Sequence, residues 1–253
     1  MRTAEGTNLT FDLKETLGRA IVGGTFEGGF PTEAELSRKH GLSRSVTREA
    51  VKMLAAKGLL SSRPKIGTVV EPSERWNLLD PDVLRWLLER QFSLDLLRQF
   101  SELRLAIEPT AAALAAQVRD SSGVAAIEKA FARMEAAARG EDHVLEADIQ
   151  FHIAILQAVQ NPFFAQFEEL VRTALLTSIQ LTNRLSGRSA NVAQHGKVLE
   201  AIRSGDSGAA QAAMYLLIDE VLELIGKARR DEAAAAEARA LITGGDRAET
   251  TAV

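Results

Sequence analysis

Residues 43–70, SRSVTREAVKMLAAKGLLSSRPKIGTVV, carry the pattern that most restricts the fold. Ser43 reads as an N-cap, Val46, Ala50, Met53 and Leu54 recur at helical spacing behind it, and Gly58 ends the helix. Turn signals then divide the next stretch into a strand over 59–62, a tip at 64–67 and a strand over 68–70. Upstream, Leu9, Leu13, Leu17, Ala20 and Ile21 form one helical stripe stopped by Gly23 and Gly24. A second short helix opens at Pro31-Thr32-Glu33, contains Leu36 and breaks at Gly41. Three short helices, a tight turn between the last two and a small hairpin specify a winged helix-turn-helix over residues 1–72.

Charge indicates what such a module meets. Residues 1–75 hold 12 Lys and Arg against 9 Asp and Glu, a net +3, while the remainder holds 18 against 25, a net −7. Within 43–68, Arg44, Arg48, Lys52, Lys57, Arg63 and Lys65 face only Glu49. A basic run alone is usually a solvated face; on the third helix of this pattern it points to double-stranded DNA. Arg44 and Arg48 lie one turn apart, and each guanidinium can bind guanine O6/N7 or grip a phosphate. Ser43, Ser45 and Thr47 offer hydroxyls near the positive helix end, and Arg63 and Lys65 lie where a wing meets the backbone.

From residue 76 onward the pattern is helix after helix. Helices are expected over 81–90 behind the N-cap Asp80, over 93–119 with a kink at Pro109, and over 121–138, 141–159, 162–185, 189–203 and 206–230. This predicts a mainly α chain: the winged domain, a linker at 73–80, an all-α domain over 81–230, and a disordered tail over 231–253. Charged or polar residues interrupt the apolar stripes at Arg104, at the i,i+4 pair Asp148 and His152, and at His195. Burying such groups costs several kcal/mol unless each meets an opposite charge, a metal or a ligand. Asp148, His152 and His195 can chelate a divalent metal, or Asp148 and His152 can hydrogen-bond with His195 satisfied separately. Arg104 can pair with Glu108 four residues on, or bind a ligand.

The segment PTEAELSRKHGLSRSVTREAVKMLAAKGLLSSRPKIGTVV (31–70) resembles the DNA-binding domain of GntR-family transcriptional regulators, with a shorter turn, EGGFP, before it. The resemblance implies that Arg44 and Arg48 are the recognition-helix arginines. ELRLAIEPTAAALAA (102–116), EADIQFHIAILQAVQNP (146–162), QHGKVLEAI (194–202) and GDSGAAQAAM (205–214) resemble the FCD ligand-binding domain of the FadR subfamily. That likeness implies one divalent metal, of the Zn or Ni type, held by Asp148, His152 and His195, with Leu217 standing at the fourth ligand position. RAIVGG (19–24) and WNLLDPDVLRWLLE (76–89) are similar to regulators of sugar-acid catabolism of the galactonate-responsive kind. They imply a small carboxylate effector bound by Arg104 together with Asp148, His152 and His195.

The reading is a homodimeric, ligand-responsive repressor that binds a palindromic operator. It is expected to be cytoplasmic and free of membranes: residues 1–12 lack the apolar core of a signal peptide and the longest apolar run, 212–218, is too short to span a bilayer. The chain has no cysteine, which excludes disulfides and thiolate chemistry. Two rivals are a metal-dependent enzyme, with Glu108, Glu146 and Ser178 as its candidate groups, and an architectural DNA-binding protein whose bundle only dimerises.

Overall fold

A computed structural model describes residues 3–26, 29–90, 94–173, 175–176 and 191–245. The chain forms two compact units, Met1–Phe92 and Ser93–Val253.

In the first unit, α1 (Thr3–Val22) buries Leu13, Leu17, Ile21 and Val22. Thr32 and Glu35 form a reciprocal capping box that starts α2 (Glu33–His40), and Gly41 at φ 66° ends it in the left-handed region. Ser43 accepts from Val46 N at 3.3 Å and starts α3 (Arg44–Ala56). The buried residues of α3 are Thr47, Ala50, Val51 and Leu54. The hairpin pairs β1 (Leu60–Arg63) antiparallel with β2 (Gly67–Val70), in the register Leu60↔Val70 to Arg63↔Gly67. The expected winged helix-turn-helix is therefore present, its strands shifted by one residue from the sequence boundaries.

The same unit includes α4 (Pro81–Arg90), which the sequence reading assigns to the following domain. Asp80 Oδ1 caps it, accepting from Asp82 N at 3.0 Å and Val83 N at 3.3 Å. Lys14 of α1 reaches Asp82 at 2.6 Å, Lys57 at the end of α3 reaches Asp80 at 2.7 Å, and Arg85 makes a two-pronged contact with Glu15 at 2.9 Å. Trp86 is buried, donating Nε1–H to Glu15 at 3.1 Å. The partners on α1 lie about 70 residues away in sequence and Lys57 lies 23 residues from Asp80, so helical periodicity within α4 could not reveal them.

In the second unit, α5 (Leu94–Val118) continues through Pro109. It is followed by α6 (Ser121–Ala138), α7 (Val144–Ala158), the single-turn α8 (Pro162–Ala165), a helical stretch at 168–173, α9 (Val192–Ser204) and α10 (Ser207–Gly245). The expected helix over 162–185 is broken at residues 166–167, and its portion over 177–185 lies outside the described residues. Ile127, Met134, Ile149, Phe151, Ile155, Leu156, Val198, Ile202, Met214 and Ile218 form the core of the bundle. α10 runs past residue 230, where the sequence reading places a disordered tail, because the Ala-rich stretch DEAAAAEARA is a strong helix former. Residues 246–253 of that tail lie outside the described residues.

Gly18 marks where α1 and α4 touch. A Cβ placed there would sit 2.4 Å from the Trp86 ring. In an open helix Gly→Ala stabilises by up to about 1 kcal/mol, but here overpacking against a buried indole, about 1–3 kcal/mol, outweighs it. Gly18→Ala should lower the urea midpoint followed by tryptophan fluorescence; an unchanged or raised midpoint would show that the contact is slack.

Candidate functional site

The exposed face of α3 carries Arg44, Ser45, Arg48, Glu49 and Lys52. Among the described residues neither Arg44 nor Arg48 has an ion-pair partner, so both guanidiniums stand free on one side of the helix. Ser43 combines its capping role with a contact to Ser45 Oγ at 2.9 Å. Thr47 departs from its expected DNA-facing role. It is fully buried, donates to Ser43 O at 3.2 Å and lies 3.0 Å from Ser37 Oγ, so its hydroxyl ties α2 to α3 and cannot reach a phosphate. At the wing, Lys65 is exposed at the hairpin tip with φ 66°, and Arg63 leans on Glu71 at 3.5 Å. The Ser61 hydroxyl, outweighing burial, holds the Glu71 carboxyl below its ordinary range.

The second cluster lies inside the bundle. Arg104 and Glu108 of α5, Asp148 and His152 of α7 and His195 of α9 are all buried. Glu108 is the junction: Arg104 Nε donates to Oε1 at 2.5 Å and Nη2 to Oε2 at 3.3 Å, and His152 Nδ1 also meets Oε2, at 2.5 Å. Burial alone would raise the Glu108 pKa, but the charge of Arg104, the neighbouring His152 and the hydrogen bonds from both hold it down to about 2. Glu108 is thus ionised and can only accept, so His152 carries its proton on Nδ1 and leaves Nε2 for another partner.

His195 is fixed in the same sense. Its Nδ1 donates to the Asn191 carbonyl at 2.8 Å, one turn back at the start of α9. Its Nε2 is buried, lies 3.0 Å from Asp148 Oδ1 and makes no well-directed hydrogen bond. Burial would raise the Asp148 pKa, but the neighbouring His195 and the charges around it hold it below the ordinary range. A neutral imidazole would present a lone pair to a carboxylate, and a cation shared between the two relieves that repulsion. The ligand atoms of Asp148, His152 and His195 all lie within 4.8 Å of one another. Oxygen and imidazole donors, each histidine oriented by a hydrogen bond from its other nitrogen, fit a divalent metal. Leu217, at the expected fourth position, is buried apolar core and offers no ligand.

The sequence pointed to Asp148, His152, His195 and Arg104 and left the Arg104–Glu108 pair open; the structure forms that pair. Two oriented partners were not anticipated. Glu108 stands 44 residues from His152, so only its i,i+4 spacing to Arg104 signalled it, and the Asn191 carbonyl leaves no side-chain signature. Of the candidate enzymatic groups, Glu108 is spent on Arg104 and His152, and Glu146 pairs with Gln150 and Arg172. Ser178 lies outside the described residues.

Comparison with known proteins places both sites in context. The "Bacterial regulatory proteins, gntR family" model matches residues 10–70 and the "FCD domain" model matches residues 99–220. The galactonate operon transcriptional repressor of Escherichia coli K12 is 36% identical over 217 residues, covering 83% of this chain and 94% of the relative. YieP, an uncharacterized HTH-type transcriptional regulator of the same organism, is 33% identical over 215 residues, covering 83% and 93%. In fold, the chain is similar to Lar, described as controlling expression of the Listeria monocytogenes agr system, with TM-score 0.62, 17% identity and coverage of 86% and 96%.

Because Glu108 compensates a buried guanidinium and orients His152, removing it strands a charge. Glu108→Ala should cost roughly 3–5 kcal/mol in unfolding free energy, as expected when one member of a buried ion pair is deleted. A loss below 1 kcal/mol in chemical denaturation would mean that Arg104 finds water instead.

Proposed function

The chain belongs to the GntR family of bacterial regulators with an FCD domain, and from that membership we propose that it is a homodimeric repressor of a catabolic operon. In this reading its FCD bundle senses a small carboxylate, a sugar acid, beside a bound divalent metal. It is a ligand-responsive DNA-binding regulator. The observation that carries the sensing half is the orphaned Nε2 of His195 facing Asp148 Oδ1 next to His152. The likeness to a galactonate operon repressor supports a sugar acid as the effector class.

In this proposal each residue has a defined task. Arg44 and Arg48 read or grip DNA from α3, with Ser43 and Ser45 at its first turn and Arg63 and Lys65 on the wing. Asp148, His152 and His195 hold the metal, which when bound supplies a Lewis acid for an effector carboxylate. Glu108 and Asn191 keep the two imidazoles in the ligating tautomer. Arg104 commits Nε and Nη2 to Glu108; its Nη1, which has no partner among the described residues, is the nitrogen offered to the effector. Two-fold pairing of the protein matches a palindromic operator, since one recognition helix covers a half-site. Among the described residues no helix is long and apolar enough to cross a membrane, which agrees with a regulator that works on cytoplasmic DNA. We read the chain as a non-enzyme, because Glu108, the candidate base in contact with His152, already serves as the partner of Arg104 and His152.

Two measurements test the halves separately. Arg48→Ala should weaken binding to operator DNA by roughly 1–3 kcal/mol at fixed salt; unchanged affinity would remove Arg48 from the interface. Adding Zn²⁺ or Ni²⁺ to chelator-treated protein should raise the melting temperature, because a ligand that binds only the folded state stabilises it. That shift should vanish in Asp148→Asn. An equal shift in the variant would place the ion elsewhere.

A further inference from the structure

Beyond α3 and the hairpin tip, the charged cluster around Glu71 holds an arginine, Arg75, that the reading above does not use. Alternation along the hairpin puts Ser61, Arg63, Val69 and Glu71 on one face, opposite the face on which Leu60 and Val70 pack into the core. Glu71 is 6% exposed. Its Oε1 takes the Ser61 hydroxyl and faces Arg63 Nη2 at 3.5 Å, while its Oε2 faces Arg75 Nη1 at 3.3 Å without a hydrogen bond. Arg75 follows the hairpin in a short 3₁₀ turn, Ser73–Arg75, beyond the segment matched by the gntR model.

The backbone of that turn is fixed. Glu71 N donates to Leu59 O at 3.0 Å, Trp76 Nε1 donates to Glu71 O at 2.8 Å, and Gly58 passes so close that a Cβ there would sit 2.6 Å from the Arg75 carbonyl. One buried carboxylate needs one cation to compensate it, and here there are two. Both guanidiniums are mostly exposed, 51% for Arg63 and 69% for Arg75, so as structural ion pairs they contribute little. The second arginine is a surplus positive charge, held at a defined place on the wing with donors to spare.

We propose that Arg75 is a DNA-backbone contact acting alongside Arg63, and that Glu71 is the positioning residue that aims both guanidiniums at phosphate. This rests on the DNA-binding reading and extends the contact surface past the hairpin to the turn that follows it. A guanidinium leaning on a carboxylate with part of its fork keeps further N–H donors for a phosphate oxygen.

The test uses the full chain and a labelled random-sequence duplex, with affinity measured by fluorescence anisotropy across a salt series. Each phosphate neutralised contributes about 0.9 to the slope of log affinity against log salt. Arg75→Ala should therefore flatten the slope by about one, and Arg75→Lys should restore it. Glu71→Gln supplies a test of sign: removing a negative charge would tighten DNA binding if only net charge mattered, whereas loss of positioning weakens it several-fold. Melting curves confirm that each variant is folded at the temperature used, and Arg75, being exposed, can be replaced without opening the core. An unchanged slope in Arg75→Ala overturns the contact, and tighter binding by Glu71→Gln overturns the positioning role. Failure of the wild-type chain to bind the duplex would instead remove the DNA-binding reading itself.

Discussion

The carboxylate of Glu108 is the group on which the polar centre of the bundle depends. It is buried beside a guanidinium and an imidazole, and it satisfies both. Without it Arg104 would be an uncompensated charge in an alanine-rich interior, and His152 would be free to rotate or change tautomer. With it, the lone pair of His152 Nε2 is directed away from α5. His195 obtains the same result by a different means, a backbone carbonyl at the first turn of α9. Two imidazoles with ring centroids 5.5 Å apart are thus oriented by groups that are not themselves ligands. Such buried polar networks earn their place through geometry rather than net stability, since an apolar replacement of the whole set would be about as stable.

The first unit uses charge in two opposite ways. On α3 the cations Arg44 and Arg48 are left unpaired and exposed, which suits a surface that exchanges water and counterions for phosphate. At the other end of the same unit, Lys14, Lys57 and Arg85 are each paired, with Asp82, Asp80 and Glu15, and together they fasten α4. Depressed carboxylate pKa values at Glu15 and Asp82 follow from those partners acting against the opposing effect of burial. One basic module therefore contains an exposed face whose arginines are free of ion pairs among the described residues and a docking face that is neutralised, a distinction that the count of Lys and Arg cannot make.

Much of this was legible in the sequence, and the misses have identifiable physical causes. Local signals located the winged helix: the helix start at Pro31-Thr32-Glu33, the break at Gly41 and the N-cap Ser43 all act within a few residues of one another. The buried face of α3 was read through Val46 and Met53 because they are apolar. The observed face, Thr47, Ala50, Val51 and Leu54, fits the i, i+3, i+4, i+7 spacing better, and Thr47 belongs to it because its hydroxyl is satisfied internally. The attachment of α4 to α1 depends on a glycine that accommodates an indole and on ion pairs between distant residues, neither of which leaves a local trace. In the bundle, polar residues on apolar stripes identified Asp148, His152 and His195 because burying them unaided is costly. Glu108 was visible only as a neighbour of Arg104, since its contact with His152 exists only once α5 and α7 pack.

The central claim is that occupancy of the buried cluster changes how tightly the chain holds DNA. The most direct measurement is operator affinity of the metal-loaded wild-type protein, with the operator selected from random duplexes, across a titration with galactonate and other sugar acids. An effector that binds one conformation better than the other should shift operator affinity by about 5- to 150-fold, a coupling of about 1–3 kcal/mol. The account predicts weakened binding within that range for at least one sugar acid. Operator affinity that stays constant while the same acids bind to the bundle would contradict it.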